Sequence, residues 1–450
     1  MARPDHQPDE HGAASPLRPP TTTRALAAYA WAGALDHPRL DIMVGERTSQ
    51  ELPPIGFQVG RIPILSDDVM AIVRTLAPSH LRVDVCLSAG DWMGRLRDAV
   101  SLVSAVNAAL EVGIAWGRDL EVETLRDLVA RLPAADRVAR VLVLGDGKAL
   151  PRGEVLASVR REIKVLRPEV PVFTAAVGHF AMLNRDWEQL ADADGVAYGI
   201  QAQVHASDDL SLIESLDGQS ATVIAARVKG GRPVTVSAVA FGPGGPDDPP
   251  DPRWPALFGA GWTIGSLAAL SGAGAASLTY QGLIGAAGPV LAPVAADGAK
   301  VSPAFHVLAD VLEMRPAQVV ATTLREDLPA TVLALASDDT VRVMIANLSA
   351  REVLATVSGL GATPVAVRCL DADSSEIAGL SPGRFRSSAE QRLPAEGVLS
   401  VVLGPFALAT LTQARGRHAS SGTGSRLDLQ DLTDPIAHRS PSWPGQRQWR

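Results

Sequence analysis

The segment Gly195-Val-Ala-Tyr-Gly-Ile-Gln-Ala-Gln-Val-His-Ala-Ser-Asp-Asp209 places His205 a few residues ahead of Asp208 and Asp209. A His beside a carboxylate can act as a general base that activates water against an ester carbonyl, with the carboxylate holding its tautomer. The same residues also read as a helix start, with Asp208 or Asp209 as cap and His205 as a hydrogen-bonded loop residue. Gln203, just upstream, can bind a substrate hydroxyl. Tyr280 ends an apolar run and can donate to a carbonyl or its oxyanion. Asp84, in Arg82-Val-Asp-Val, can hold substrate hydroxyls or pair with Arg82 or another Arg. Asp146 and Lys148 lie in Leu144-Gly-Asp-Gly-Lys148, which suits catalysis but is also an ordinary turn. It lacks the glycine spacing and the Ser/Thr of a phosphate loop. His179 adds another polar group. Trp92 and Trp116 can stack on a sugar ring or pack over a rim, and Trp262 sits in an apolar helical pattern that reads as core. His179, His205, Asp84 and Asp146 are metal-ligand types, but their spacing demands no ion, so neither metal nor cofactor is expected.

These residues are scattered along the chain, so the fold must gather them. Eight short apolar runs alternate with helical patterns: Ile55–Val59, His80–Cys86, Leu110–Ala115, Val138–Leu144, Pro171–Val177, Gly195–Ile200, Arg232–Ala240 and Ala275–Tyr280. That rhythm predicts a (β/α)₈ TIM barrel over residues 55–315, whose chemistry sits on the loops after the strands. Helices are predicted at Asp67–Leu76, Leu96–Leu110, Glu154–Leu166 and Leu210–Val228. Start signals stand at Ser66-Asp67-Asp68, Thr124 and Ser207-Asp208-Asp209. Strands three and eight are the hardest to separate from buried helix, because Ala-rich apolar runs carry no decisive period.

After a helix around Phe305–Met314 the pattern turns to alternation, at Val332–Leu335, Val341–Ala346, Val353–Val357, Pro364–Cys369, Val398–Leu403 and Ala407–Leu411. It predicts a small antiparallel β-sandwich over 316–413. Residues 1–22 and 414–450 lack apolar periodicity and read as disordered, while 23–54 read as a helix (Thr23–Leu35) and a linker.

Composition sets limits on function. A net charge of −8 argues against nucleic-acid binding, which needs basic patches. No apolar run is long enough to span a membrane, and the polar, Pro-rich start is unlike a signal peptide, so a cytoplasmic location is expected. Cys86 and Cys369 are the two cysteines, too few for a disulfide scaffold or a Cys-based metal site, and they read as inert buried thiols.

The stretch 195–209, continuing to Leu216, resembles the sixth strand and loop of the D-apionate lactonase family. So do Phe258-Gly-Ala-Gly-Trp-Thr-Ile-Gly-Ser-Leu267, Ala275–Tyr280, Phe305-His-Val-Leu-Ala-Asp310 and Val341-Arg-Val-Met-Ile-Ala-Asn-Leu348. The resemblance implies an N-terminal β domain, a TIM barrel and a C-terminal β domain, and hydrolysis of the lactone of a branched sugar acid. It also implies a Glu after the aromatic residue of strand eight, where this chain has Gln281. Gln201-Ala202 stand where Asn-Pro is usual, Gly178-His179-Phe180 where an Asn-containing loop is usual, and residues 1–54 are too few for the N-terminal domain.

The leading reading is therefore a lactone hydrolase with His205 as base, Asp208 or Asp209 as orienter and Tyr280 as oxyanion donor, its partner a small sugar-acid lactone. The alternative is a degenerate member that binds a carbohydrate or lactone, or serves as a scaffold. A glycoside hydrolase would need two carboxylates about 5 to 10 Å apart, from Asp84, Asp146 and Asp208. The enzymatic reading expects one pocket at the C-terminal mouth of the barrel holding three or more of His205, His179, Asp84, Asp146 and Tyr280, with His205 near its centre. An outward-facing His205, or a mouth plugged by apolar side chains, favours the scaffold.

Overall fold

The structure is a computed structural model. It describes residues 38–60, 65–116, 121–145, 150–187, 193–242, 250–291, 299–388, 390–394 and 397–414. The expected disordered ends, the helix at Thr23–Leu35, and Asp146 with Lys148 lie outside these residues.

After a first strand β1 (Arg39–Glu51), eight parallel strands close a barrel in sequence order. They are β2 (Ile55–Gln58), β3 (His80–Cys86), β4 (Ala109–Ala115), β5 (Val138–Gly145), β6 (Val172–His179), β7 (Gly195–Gln201), β8 (Val234–Ala240) and β9 (Ser277–Tyr280). The final seam pairs Gly56 with Thr279 and Phe57 with Tyr280. All eight predicted strands are present, including the third and eighth, whose apolar runs carried no decisive period.

A helix follows each strand: α1 (Asp67–Leu76), α2 (Trp92–Val106), α3 (Val122–Arg131), α4 (Gly153–Leu166), α5 (Phe180–Arg185), α6 (Asp209–Gly230), α7 (Leu257–Gly272) and α8 (Pro303–Glu313). The start of α1 matches its sequence signal, since the Ser66 hydroxyl accepts from the Val69 amide and Val69, Val73 and Leu76 form the buried stripe. The cap expected at Thr124 is not formed. Helix α3 begins at Val122, and the Thr124 hydroxyl instead donates to the Glu121 carboxylate at 3.3 Å. A two-stranded hairpin, β10 (Val290–Leu291) with β11 (Lys300–Val301), lies between β9 and α8.

The rest of the chain forms β12 (Gln318–Glu326), β13 (Ala330–Ala336), β14 (Thr340–Asn347), β15 (Val353–Ser358), β16 (Val365–Leu370), β17 (Glu390–Leu393), β18 (Val398–Leu403) and β19 (Leu408–Ala414). Two short helices, α9 (Ser375–Leu380) and α10 (Pro382–Ser388), precede β17. With β1 the strands make one nine-stranded sheet in the order β17-β16-β19-β14-β13-β12-β1-β15-β18. Residues from both halves of this sheet, such as Ile42, Val343, Val357 and Leu411, share one apolar core.

Residues 39–51 had read as linker. They form β1 instead, antiparallel to β12 and parallel to β15, with Leu40 and Ile42 fully buried. The local pattern is alternating, but its partners lie 271 to 316 residues away in sequence, beyond the reach of any local period.

Candidate active site

Side chains alternate along barrel strands, so every second residue points into the lumen. On β3 these are His80, Arg82 and Asp84, and on β4 they include Glu111 and Gly113. Registration sets Gln58 beside Arg82, Arg82 beside Glu111 and Glu111 beside Arg140 of β5. A single row around the barrel therefore carries two guanidiniums with a carboxylate between them.

Hydrogen bonds tie this row together. Arg140 donates to Glu111 at 2.8 Å, and the Ser237 hydroxyl donates to the other Glu111 oxygen at 2.5 Å. Arg82 donates from Nη1 to Ser237 at 2.8 Å, and from Nε and Nη2 to the two oxygens of Asp84 at 2.8 and 3.0 Å. Gln58 adds a third bond to Asp84 at 2.9 Å. A Cβ at position 113 would sit 2.0 Å from Asp84 Oδ1, so only glycine lets the carboxylate lie against β4.

Burial would push the Glu111 carboxyl up. The neighbouring His80, Arg140 and Arg82 and the Ser237 hydrogen bond outweigh it and hold the group below its ordinary range. Burial likewise pulls His80 down to about 4, so its ring is neutral and bonds to the Thr279 hydroxyl at 2.9 Å. The opposite wall is apolar, built from Leu142, Leu144, Ala175 and Ala197, with Phe173 beneath the Arg140 guanidinium. Asp84 is 30% exposed, so water reaches the lumen from the mouth to this depth.

A second network lies on the rim. Gln203 donates to Asp251 at 2.6 Å, Arg253 clamps Asp251 through two bonds, and its Nη1 reaches Asp209 at 2.6 Å. Asp209 is 3% exposed and serves as the buried partner of Arg253. Asp208 is the N-cap of α6, accepting from the Ser211 amide at 3.0 Å and its hydroxyl at 2.7 Å. Those bonds hold its carboxyl below the ordinary range. His205 is exposed in the turn between β7 and α6, with neither aspartate as a hydrogen-bond or ion-pair partner among the described residues.

The sequence-derived trio of base, orienter and oxyanion donor is thus not assembled. Tyr280 corrects the expectation most plainly. It is 1% exposed, and its hydroxyl donates to Ser266 of α7 at 3.2 Å, on the helix side of the barrel. Period two explains this, because Thr279, which bonds to His80 and Glu111, takes the lumen position and turns Tyr280 outward. Trp116, read as a sugar platform, is 9% exposed and belongs to the main core, as does Trp92. His179 is half-buried at the N-cap of α5, and its side chain makes no capping bond. The two thiols, expected to be buried, are each half-buried. A cavity of about 680 Å³ lies beside the rim, lined by Arg253, Phe258, Leu291, Lys300, Leu380 and Phe406, and none of the sequence candidates lines it.

Glu111, Arg140, Ser237, Gln58, Asp251 and Arg253 were not singled out from sequence. A signal existed for the first of them: Glu111 interrupts an apolar strand, and a buried carboxylate requires a partner. Among the described residues, no group of three or more His, Cys, Asp or Glu side chains could hold a metal ion. No described helix is long and apolar enough to cross a membrane.

A closed eight-stranded barrel with a polar lumen floor, followed by a β domain, defines a TIM-barrel protein with an appended immunoglobulin-like domain. The patterns of the D-apionate lactonase TIM barrel domain and C-terminal immunoglobulin-like domain match residues 65–316 and 329–411. The chain belongs to the D-apionate lactonase family. No curated protein matches it. Its fold is similar to an arabinofuranosidase (11% identity, TM-score 0.65, covering 84% of this chain and 100% of that one). It is also similar to the alpha-L-arabinofuranosidase from Thermotoga maritima in its arabinose complex (11%, TM-score 0.61, 84% and 100%). A third likeness is to a GH30 endoxylanase from Clostridium papyrosolvens C71 (13%, TM-score 0.58, 84% and 100%).

Proposed function

We propose that this chain opens a sugar-acid lactone with activated water at the C-terminal mouth of the barrel. The carrying observation is the family match across both domains, joined to a lumen in which Asp84 is a water-facing carboxylate held by three hydrogen bonds and open to hydroxyl recognition. His205, on its exposed turn, is the candidate base, without a carboxylate to orient it. The likeness of the fold to arabinofuranosidases accords with a five-carbon sugar skeleton.

The test is proton release on adding D-apionolactone, compared with aldonolactones. Replacement of a working general base lowers the rate by about 10² to 10⁴, so His205→Ala should do the same. Equal rates for wild type and variant remove His205 from the mechanism.

A second reading, a binding protein without turnover, is favoured by the engagement of Asp208, Asp209 and Tyr280 elsewhere and by the exposure of His205. It predicts calorimetric binding of a sugar acid or lactone while ring opening stays at the uncatalysed rate.

A further inference from the structure

The four charged groups of the lumen neutralise one another, and their stacking leaves one of them facing water. The side chains of Glu111, Arg82 and Arg140 are 0%, 5% and 12% exposed, against 30% for Asp84. Arg82 spends Nε and Nη2 on Asp84 and Nη1 on Ser237. Asp84 accepts three hydrogen bonds, and a carboxylate offers about four acceptor positions, so one remains for an incoming donor. The rim repeats the sign, since Asp209 and Asp251 share the single guanidinium of Arg253. Among the described residues, the ion pairs of Asp84, Glu111, Asp209 and Asp251 in the two networks are made with Arg82, Arg140 and Arg253.

The geometry points to Asp84, positioned by the Glu111–Ser237–Arg82 ladder, as the group by which the mouth tells an uncharged polyhydroxy lactone from the anionic sugar acid it becomes. This rests on the reading of the mouth as a lactone site. In ring opening, water oxygen bonds to the carbonyl carbon, the acyl–oxygen bond of the ring breaks, and the ring oxygen takes a proton. The new carboxylic acid then releases its proton to solvent. Substrate and product offer Asp84 the same hydroxyl donors and differ in charge. Arg82, bound behind Asp84, offsets part of its charge, so the repulsion of like charges about 6 Å apart, about tenfold in affinity for a lone pair at an effective dielectric near 40, falls to about threefold. The product is thus expelled without a moving part.

The experiment is calorimetry on the full chain with ribitol as neutral probe and sodium ribonate and sodium D-apionate as anionic probes. At about 20 mM salt, ribitol should bind about threefold more tightly than either acid, and about 500 mM salt should close most of the gap. Asp84→Asn should bring the acids level with ribitol or tighter, and weaken ribitol several-fold. Acids binding as well as ribitol to the wild type at low salt overturn the inference. So does a gap indifferent to both salt and Asp84→Asn, or the absence of binding by any probe. If the variant does not fold, the wild-type salt series decides. Turnover is not needed for the readout: ribitol preferred over ribonate with no lactone opened sinks the lactonase reading and leaves only the discrimination of neutral from anionic polyols by Asp84.

Discussion

Neutral histidines sealed inside the molecule set its response to acid. His80 and His306 are each nearly fully buried, and loss of hydration pulls both down to about 4. Their folded values lie below the unfolded value of 6.5, so the unfolded chain binds more protons between about 6.5 and 4. Stability is therefore present above that window and lost as pH falls through it. Each site should cost about 2 kcal/mol between pH 7 and pH 5, and Glu326, which burial pushes up to about 7, gains stability over the same window and offsets about one of them. Melting temperatures at the two pH values check this, and His80→Asn should remove most of the slope. An equal Tm for the wild type at both values contradicts it. At this scale the sequence was legible by type but not by direction. Asp84 pairs with Arg82, one of the two roles open to it from sequence, whereas Tyr280 faces the helices because Thr279 takes the lumen position. Which of two adjacent strand residues faces inward depends on barrel closure, which one strand's composition does not encode.

Strands and helices of the barrel were legible because each repeats a local pattern. The α6 start shows both the strength and the limit of such reading. Its signal Ser207-Asp208-Asp209 marked the helix boundary, but only the tertiary partner Arg253 tells which aspartate caps and which is buried. Arg253 also fastens the loop after β8 to the start of α6. Arg253→Ala leaves Asp209 and Asp251 without their cation, and breaking a buried pair in this way costs about 3 to 5 kcal/mol. Urea unfolding should show that loss, and the double variant Arg253→Leu with Asp209→Leu should recover part of it. A loss under 1 kcal/mol would mean the rim network is well hydrated.

Barrel and β domain share a core. Leu333, Met344, Ala346 and Leu408 of the sheet cluster with barrel helices, and Thr331 donates to the Gly261 carbonyl of α7 at 2.9 Å. Asp310 of α8, 1% exposed, accepts from Arg368 at 2.5 Å and from Thr410 at 2.9 Å, and is ion-paired with Arg386 at 2.8 Å. The three guanidiniums of Arg368, Arg386 and Arg342 outweigh the burial that would raise this carboxyl and hold it low. Scanning calorimetry should therefore give one transition for residues 38–414. Asp310→Ala should lower its midpoint through a loss of about 3 to 5 kcal/mol. Two resolved transitions in the wild type contradict a shared core. This seam was not legible in sequence, since its parts are spread over α7, α8, α10 and four strands.

Strand β1 joins β12 to β15 and lies in the chain ahead of the whole barrel. The β domain therefore behaves like a zip fastener whose middle tooth is stitched to the opposite hem. Cut loose at residue 316, it would carry two bare edges and an open slot shaped for Leu40 and Ile42, a form prone to sticking to other chains. A synthetic peptide of residues 39–51, added in trans, should slide into that slot and restore solubility and a cooperative melt, as donated strands do elsewhere. The same peptide carrying Leu40→Asp and Ile42→Asp should not. Rescue by the charged peptide as well would show that the slot does not select its strand.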